Sequence, residues 1–118
     1  MLGDYNRWGW PMCGEIDIME YVGFDPGQTH STIHCEARNS LRNNQPTVVV
    51  NDPNMTMSFV TYSAEWSPDN VTLLVAGRPV LTYGNDGKCS QVSWPFHLPF
   101  TVKLNLAIGG GRGGVEGV

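Results

Sequence analysis

Positive charge is sparse in this chain and nowhere concentrated. Seven of its 118 residues are Lys or Arg, scattered singly, against eleven Asp and Glu. A surface that tracks phosphates gathers its basic residues into a patch or stripe, so nucleic acid is not an expected partner. The formal charge of −4 also makes the chain a poor host for polyanions. Cysteine is scarce: Cys13, Cys35 and Cys89 are odd in number, widely spaced and include no C-x-x-C pair. Zinc-ribbon and thioredoxin-type sites therefore have no support, at most one disulfide can form, and most of the thiols are expected to be free and partly buried. No apolar run is long enough to cross a bilayer, so no membrane partner is expected. The opening MLGDYNRWGW lacks the basic-then-apolar order of a secretion signal. A sustained 3.6-residue apolar period is missing as well, which argues against an α-rich fold.

What is present is an ordinary globular balance leaning towards turns, with 41% hydrophobic and 15% charged residues, 14 Gly and 8 Pro. The length suits one domain. Residues 1–13 are rich in Gly, Trp and Pro and read as a loop. Strand patterns follow over Gly14–Val22, Thr29–Glu36, Thr47–Val50 and Met57–Trp66. Val71–Val75 and Pro79–Tyr83 form a hairpin pattern around Gly77. Phe100–Ile108 alternates, with Val102, Leu104, Leu106 and Ile108 on one side. Gly109–Gly114 is too glycine-rich to hold regular structure without neighbours. Short strands divided by turns every 8–12 residues predict an all-β sandwich or barrel.

The segment that carries chemistry is Glu15-Ile16-Asp17-Ile18-Met19-Glu20, three acids within six residues of an otherwise apolar strand. Carboxylates in a row repel one another and resist burial, so a fold keeps such a row for a purpose or leaves it in water. Alternation puts Glu15 and Asp17 on one face and turns Glu20 to the other. A β-bulge at Met19 or a neighbour shifts the parity and brings all three together. Two carboxyl groups roughly 5–5.5 Å apart are what a retaining glycosidase needs, one as nucleophile and one as acid/base. The two backbone positions would lie about 13 Å apart at about 3.4 Å per residue, so the glutamates must lean towards each other across Asp17. The charge or shared proton of Asp17 would then raise a neighbour's pKa and hold the row in register. A solvated edge-strand face and a calcium site are the other readings that this spacing allows.

Trp8 and Trp10 precede the acids, and aromatic faces stack on sugar rings, although core packing would also use them. His30 and His34 share a face of the following strand and would stand near the acids if the two strands pair.

These residues resemble glycoside hydrolase family 16, and in particular its laminarinase or endo-β-1,3-glucanase branch. The likeness is carried by GWPMCGEIDIMEYVG (9–23), HSTIHCEARN (30–39), FVTYSAEWSPDNVTLLVAG (59–77), WPF and PF within 94–100, and LNLAIGGGRGG (104–114). It covers nearly the whole chain in order. The resemblance implies a concanavalin A-like jelly-roll β-sandwich with a cleft on its concave face, and a retaining hydrolysis by double displacement. It implies Glu15 as nucleophile, Glu20 as acid/base and Asp17 as the assisting acid between them. Trp10 matches a tryptophan beside the cut bond, Trp8 accompanies it as a second substrate-binding candidate, and His34 falls where a cleft histidine often stands. Two residues, Ile18 and Met19, separate Asp17 from Glu20; that spacing resembles enzymes of β-1,3-glucan or mixed β-1,3/1,4-glucan. No cofactor and no metal is implied for the cleft.

The chain departs from the family pattern in places. Val60 follows Phe59 where a histidine is common, and Gly111-Arg112 stand where Asn-Trp is common. The family domain is also about twice this size. Residues 1–118 are therefore expected to be the central part of one catalytic domain, a sandwich lacking N- and C-terminal strands and the calcium site built from its two ends. Such a piece would be marginally stable or prone to aggregate. A non-catalytic β-glucan-binding module of the same fold and an inactive fragment are the alternative functions. The polymeric substrate implies action outside the cell or in a periplasm. Asn54-Met55-Thr56 and Asn70-Val71-Thr72 match the glycosylation acceptor pattern.

Overall fold

Six short strands carry the structure. The computed structural model describes residues 1–114. In chain order the elements are a single helical turn α1 (Tyr5–Trp8), then β1 (Glu15–Glu20), β2 (Gln28–His34), β3 (Thr47–Asn51), β4 (Tyr62–Trp66), β5 (Asn70–Val75) and β6 (Arg78–Gly84). A 3₁₀ turn over Pro95–His97 and a second helical turn α2 (Gly110–Gly113) complete the set. The strands form two three-stranded antiparallel sheets, β1-β2-β3 and β4-β5-β6.

Each strand shows why it lies where it does. Along β2 the odd residues Thr29, Ser31 and Ile33 point to the interior, and Ile33 is opposite Ile16 of β1. From the second sheet, Val71 and Leu73 of β5 meet them, and Trp94 and Phe96 close the same cluster. One hydrophobic core thus lies between the two sheets, and the faces that look away from it hold the polar residues. The β5–β6 hairpin turns through Ala76 and Gly77, both with positive φ (50° and 75°). That pair of left-handed residues makes the tight turn that a right-twisted hairpin favours.

The core is strongly aromatic on one side. Trp94 meets Phe96 edge to face, with ring centres 5.1 Å apart, and Tyr83 stacks on Trp94 at 6.0 Å. Phe100 touches both Phe96 and Trp66, and the Trp66 indole N–H donates to the Phe96 carbonyl at 2.8 Å. Cys13 and Cys35 are buried and Cys89 is exposed, all as free thiols.

Four expectations need correction. Phe100–Ile108 is not a strand: only Thr101 makes a bridge, to Leu2. Alternation favours a strand only where a neighbouring backbone offers the hydrogen bonds, and none runs beside 102–108 among the described residues. Leu104 and Leu106 are accordingly 94% and 97% exposed. The Met57–Trp66 strand is shorter than expected, beginning at Tyr62, because residues 53–57 form turns. Residues 5–8 form one helical turn rather than loop, capped by the Asp4 carboxylate, which accepts from the Arg7 backbone N–H at 3.1 Å. Gly110–Gly113 also closes a helical turn despite its glycines.

The exposed row Val102, Leu104, Leu106 and Ile108 is a self-association hazard. The isolated chain is expected to bind ANS and to scatter light increasingly with concentration. A chain that stays monomeric by light scattering and leaves ANS dark would contradict this.

Candidate active site

The three acids do share a face, and the backbone irregularity that puts them there is a β-bulge. Between β1 and β2 the partners run Glu15 with His34, Ile16 with Ile33, Asp17 with Thr32, and then Glu20 with His30. Three steps along β1 thus match two along β2, leaving Ile18 and Met19 together opposite Ser31. The Ser31 hydroxyl donates to the Ile18 carbonyl at 2.9 Å, satisfying an acceptor within the irregular stretch. Met19 is exposed, and Ile16, one position from each of the first two acids, is fully buried. Glu15, Asp17 and Glu20 therefore stand on the outer face of the sheet, opposite His34, Thr32 and His30 respectively.

The start of the row is fixed by Gly14. Its φ is +78°, and a Cβ there would lie 2.6 Å from the Pro95 side chain and 2.9 Å from the Phe100 ring. Any other residue would strain the backbone and push Glu15 off the aromatic layer beneath it. On the other side of β1, the Met1 amino group donates to the Ile16 carbonyl at 2.5 Å.

Side chains knit the row together. The Trp10 indole N–H donates to Glu15 Oε2 at 2.8 Å, and His34 Nε2 lies 3.3 Å from Asp17 Oδ2. Trp10 and His34 meet at 5.7 Å between ring centres. Glu15, Asp17 and His34 bring ligand-type atoms within 4.8 Å of one another. Two carboxylates and an imidazole make a meagre set for calcium, which takes six to eight oxygens. Nor is this a solvated edge: the Asp17 and His34 side chains are only 15% and 11% exposed.

Burial and Asp17 raise the pKa of Glu15, burial being the larger cause; the Trp10 N–H, His34 and the chain's amino terminus act in the opposite direction. The raised acid is thus Glu15, which the resemblance makes the nucleophile and which must ionise to attack. His34 is a different balance. Burial opposes its charged form, but the hydrogen bond and charge of Asp17, with Glu15 and Glu20 behind, outweigh burial and raise its pKa.

A carboxyl whose pKa rises on folding is fully compatible with the fold below the ordinary Glu range and costs stability as pH climbs through the raised value. Glu15→Gln removes that cost and keeps an oxygen for Trp10. We expect the variant to melt about 1–3 °C higher than the parent at pH 7 and level with it near pH 3.5. Parallel melting curves at the two pH values check this; a lower melting temperature at pH 7 would contradict it.

Not every sequence candidate joins the cluster. Trp8 lies in α1 with the Arg7 guanidinium 5.0 Å over its ring, and it makes no hydrogen bond to the acids. His30 faces Glu20 across the strand pair. Three participating residues were not foreseen. Thr32 and Thr47 share a hydroxyl–hydroxyl bond at 3.1 Å beside the row, across from Asp17. Arg112 of α2 forms an ion pair with Glu20; its only trace in the sequence is a lone cation inside a run of glycines. A cavity of about 700 Å³ lies elsewhere, lined by Trp66, Trp94, Phe96, His97 and Cys89 among others. It contains no carboxylate and is an opening at the aromatic layer, so size alone does not locate the chemistry.

Comparison with known proteins fits this geometry. The model of glycosyl hydrolases family 16 matches residues 5–116. The chain belongs to that family. Its relatives include a β-glucanase of Rhodothermus marinus, 37% identical over 125 residues, spanning 100% of this chain and 44% of that protein. A glucan endo-1,3-β-glucosidase of Cryptopygus antarcticus is 35% identical over 114 residues, covering 92% of this chain and 42% of the relative. The crystal structure of the laminarinase from Rhodothermus marinus superposes with a TM-score of 0.87 at 35% identity, over 92% of this chain and 45% of that one. This family 16 chain thus spans less than half the length of these relatives. Its two antiparallel sheets and its likeness to a laminarinase bear out the jelly-roll β-sandwich expected from the resemblance.

Proposed function

We propose that the protein is a retaining endo-glycosidase that hydrolyses β-1,3-glucan, or mixed β-1,3/1,4-glucan, outside the cell or in a periplasm. Residues 1–118 would be the central part of its single catalytic domain. The observation that carries this reading is the bulge, which gathers Glu15, Asp17 and Glu20 on one face. The printed activities of the relatives, β-glucanase and glucan endo-1,3-β-glucosidase, agree with it.

The Glu15 carboxylate attacks the anomeric carbon while Glu20, protonated, gives its proton to the departing glycosidic oxygen. A covalent glycosyl ester forms on Glu15. Water then attacks that carbon, Glu20 takes the water's proton, and the ester bond breaks with net retention. Trp10 holds Glu15 by its N–H and helps favour the ionised form that attacks. Asp17, backed by His34, separates the two reacting carboxyl groups and keeps a negative field beside the developing oxocarbenium ion. Trp10 and the partly exposed Trp8 offer aromatic faces for flanking sugars, and the His34 ring lies against that of Trp10.

Reducing-sugar release from laminarin tests the activity, and an activated 2-fluoro-glucoside tests the assignment. The reading requires release, and mass-spectrometric labelling on Glu15. Labelling on Asp17 would overturn the roles, and laminarin binding without release would make the chain a binding module.

A further inference from the structure

Among the described residues, Arg112 is the one Lys or Arg that pairs with the acid row, whose Glu15 end also feels the chain's amino terminus. Among the described residues the groups facing Glu20 are Asp17 along β1, His30 across from it on β2, and Arg112 from α2, with Glu15 and His34 farther along the face. The guanidinium arrives there by a backbone route that glycine makes possible. Gly109 and Gly110 have φ of 72° and 81°. A Cβ at Gly114 would lie 2.7 Å from the Gly110 carbonyl, so the turn closes only without one. A segment spending so much conformational entropy to present one side chain presents it for a use. Stability is a poor candidate for that use: both side chains are more than a third exposed, and ion pairs in such settings contribute little.

The contact is made by Arg112 Nη1 to one carboxyl oxygen of Glu20, Oε2. A guanidinium N–H donates to a carboxyl oxygen whether or not the group's other oxygen holds a proton. Binding Oε2 therefore leaves Oε1 to face the substrate in both half-reactions, giving its proton to the glycosidic oxygen in the first and taking one from water in the second.

We propose that Arg112 is a positioning residue for the acid/base Glu20, fixing the carboxyl by its Oε2 so that Oε1 meets the leaving oxygen. The inference rests on the hydrolase reading above. In this role Arg112 acts through Glu20, the acid that it contacts, and not on the sugar itself. Misplacing a proton donor by about 1 Å costs on the order of 10²-fold in rate, which sets the scale of the effect.

Leaving-group chemistry separates this role from a structural one. A natural glucan leaves as a poor leaving group and needs the proton; a 2,4-dinitrophenyl β-glucoside or laminaribioside does not. Arg112→Ala is expected to lower kcat/KM on laminarin about 10- to 100-fold with KM within about twofold, and to leave kcat/KM on the dinitrophenyl substrate within about twofold. Arg112→Lys should recover part of the loss, since it restores a donor without the planar fork. In the Glu20→Gln background, Arg112→Ala should add nothing further on laminarin. Equal losses on both substrates, no loss on laminarin, or full additivity with Glu20→Gln would each overturn the proposal. Glu20→Gln alone serves as the control for the underlying reading. If it fails to discriminate between the two substrates, the acid/base assignment itself is wrong; if it discriminates and Arg112→Ala does not, only the positioning role fails.

Discussion

Glu15→Gln lowers laminarin hydrolysis by about 10⁴-fold or more, and Glu20→Gln by about 10²- to 10⁴-fold. The two differ because they remove different things. Without the Glu15 carboxylate no glycosyl ester can form, and neither step proceeds by the retaining path. Without Glu20 the nucleophile is intact, and what is lost is proton transfer, to which a positioned acid or base contributes that smaller factor. Geometry argues that the first loss is chemical. Gln at 15 keeps the oxygen that accepts from Trp10 at 2.8 Å and relieves the burial and Asp17 repulsion that raise the acid's pKa. The variant is thus expected to be at least as stable as its parent while inactive. Reducing-sugar assays beside melting curves read both properties at once. Substantial residual activity in Glu15→Gln would remove the residue from the nucleophile's role.

Phe96→Ala destabilises the chain by about 3–5 kcal/mol. Phe96 is fully buried and lies at the centre of the aromatic layer, with Trp94, Tyr83 and Phe100 all within 6 Å by ring centres. Truncation removes the edge-to-face contacts that Trp94 and Tyr83 make with this ring and leaves a cavity lined by three rings. Whole domains have only about 5–15 kcal/mol to lose. The consequence reaches the site, because Phe100 supports Gly14 and Gly14 sets Glu15. Urea titration followed by tryptophan fluorescence measures the change; a midpoint within error of the parent would show that the layer is not what holds the sheets together.

Much of this fold can be read from residue order alone, and the exceptions share a cause. The acid row reveals its bulge because three carboxylates and the buried Ile16 impose contradictory parities on a regular strand, and one extra residue is the smallest repair. The β5–β6 hairpin is legible in Gly77 between two β-rich runs. Phe100–Ile108 misleads because alternation records a preference and not the presence of a partner backbone. Arg112 is invisible for a related reason: nothing local in GGGRGG says which distant carboxylate the cation meets. The one-turn helix at Tyr5–Trp8 is too short for periodicity to register.

The paired residues Ile18 and Met19 opposite Ser31 make this strand tolerant of a change in length. Removing Met19 would turn the stretch into plain alternation, with Glu20 two places beyond Asp17 and still beside its fellow acids. A chain one residue shorter at this spot would keep its acid row, while the bend of the sheet, and so the contour of the face that carries the acids, would change.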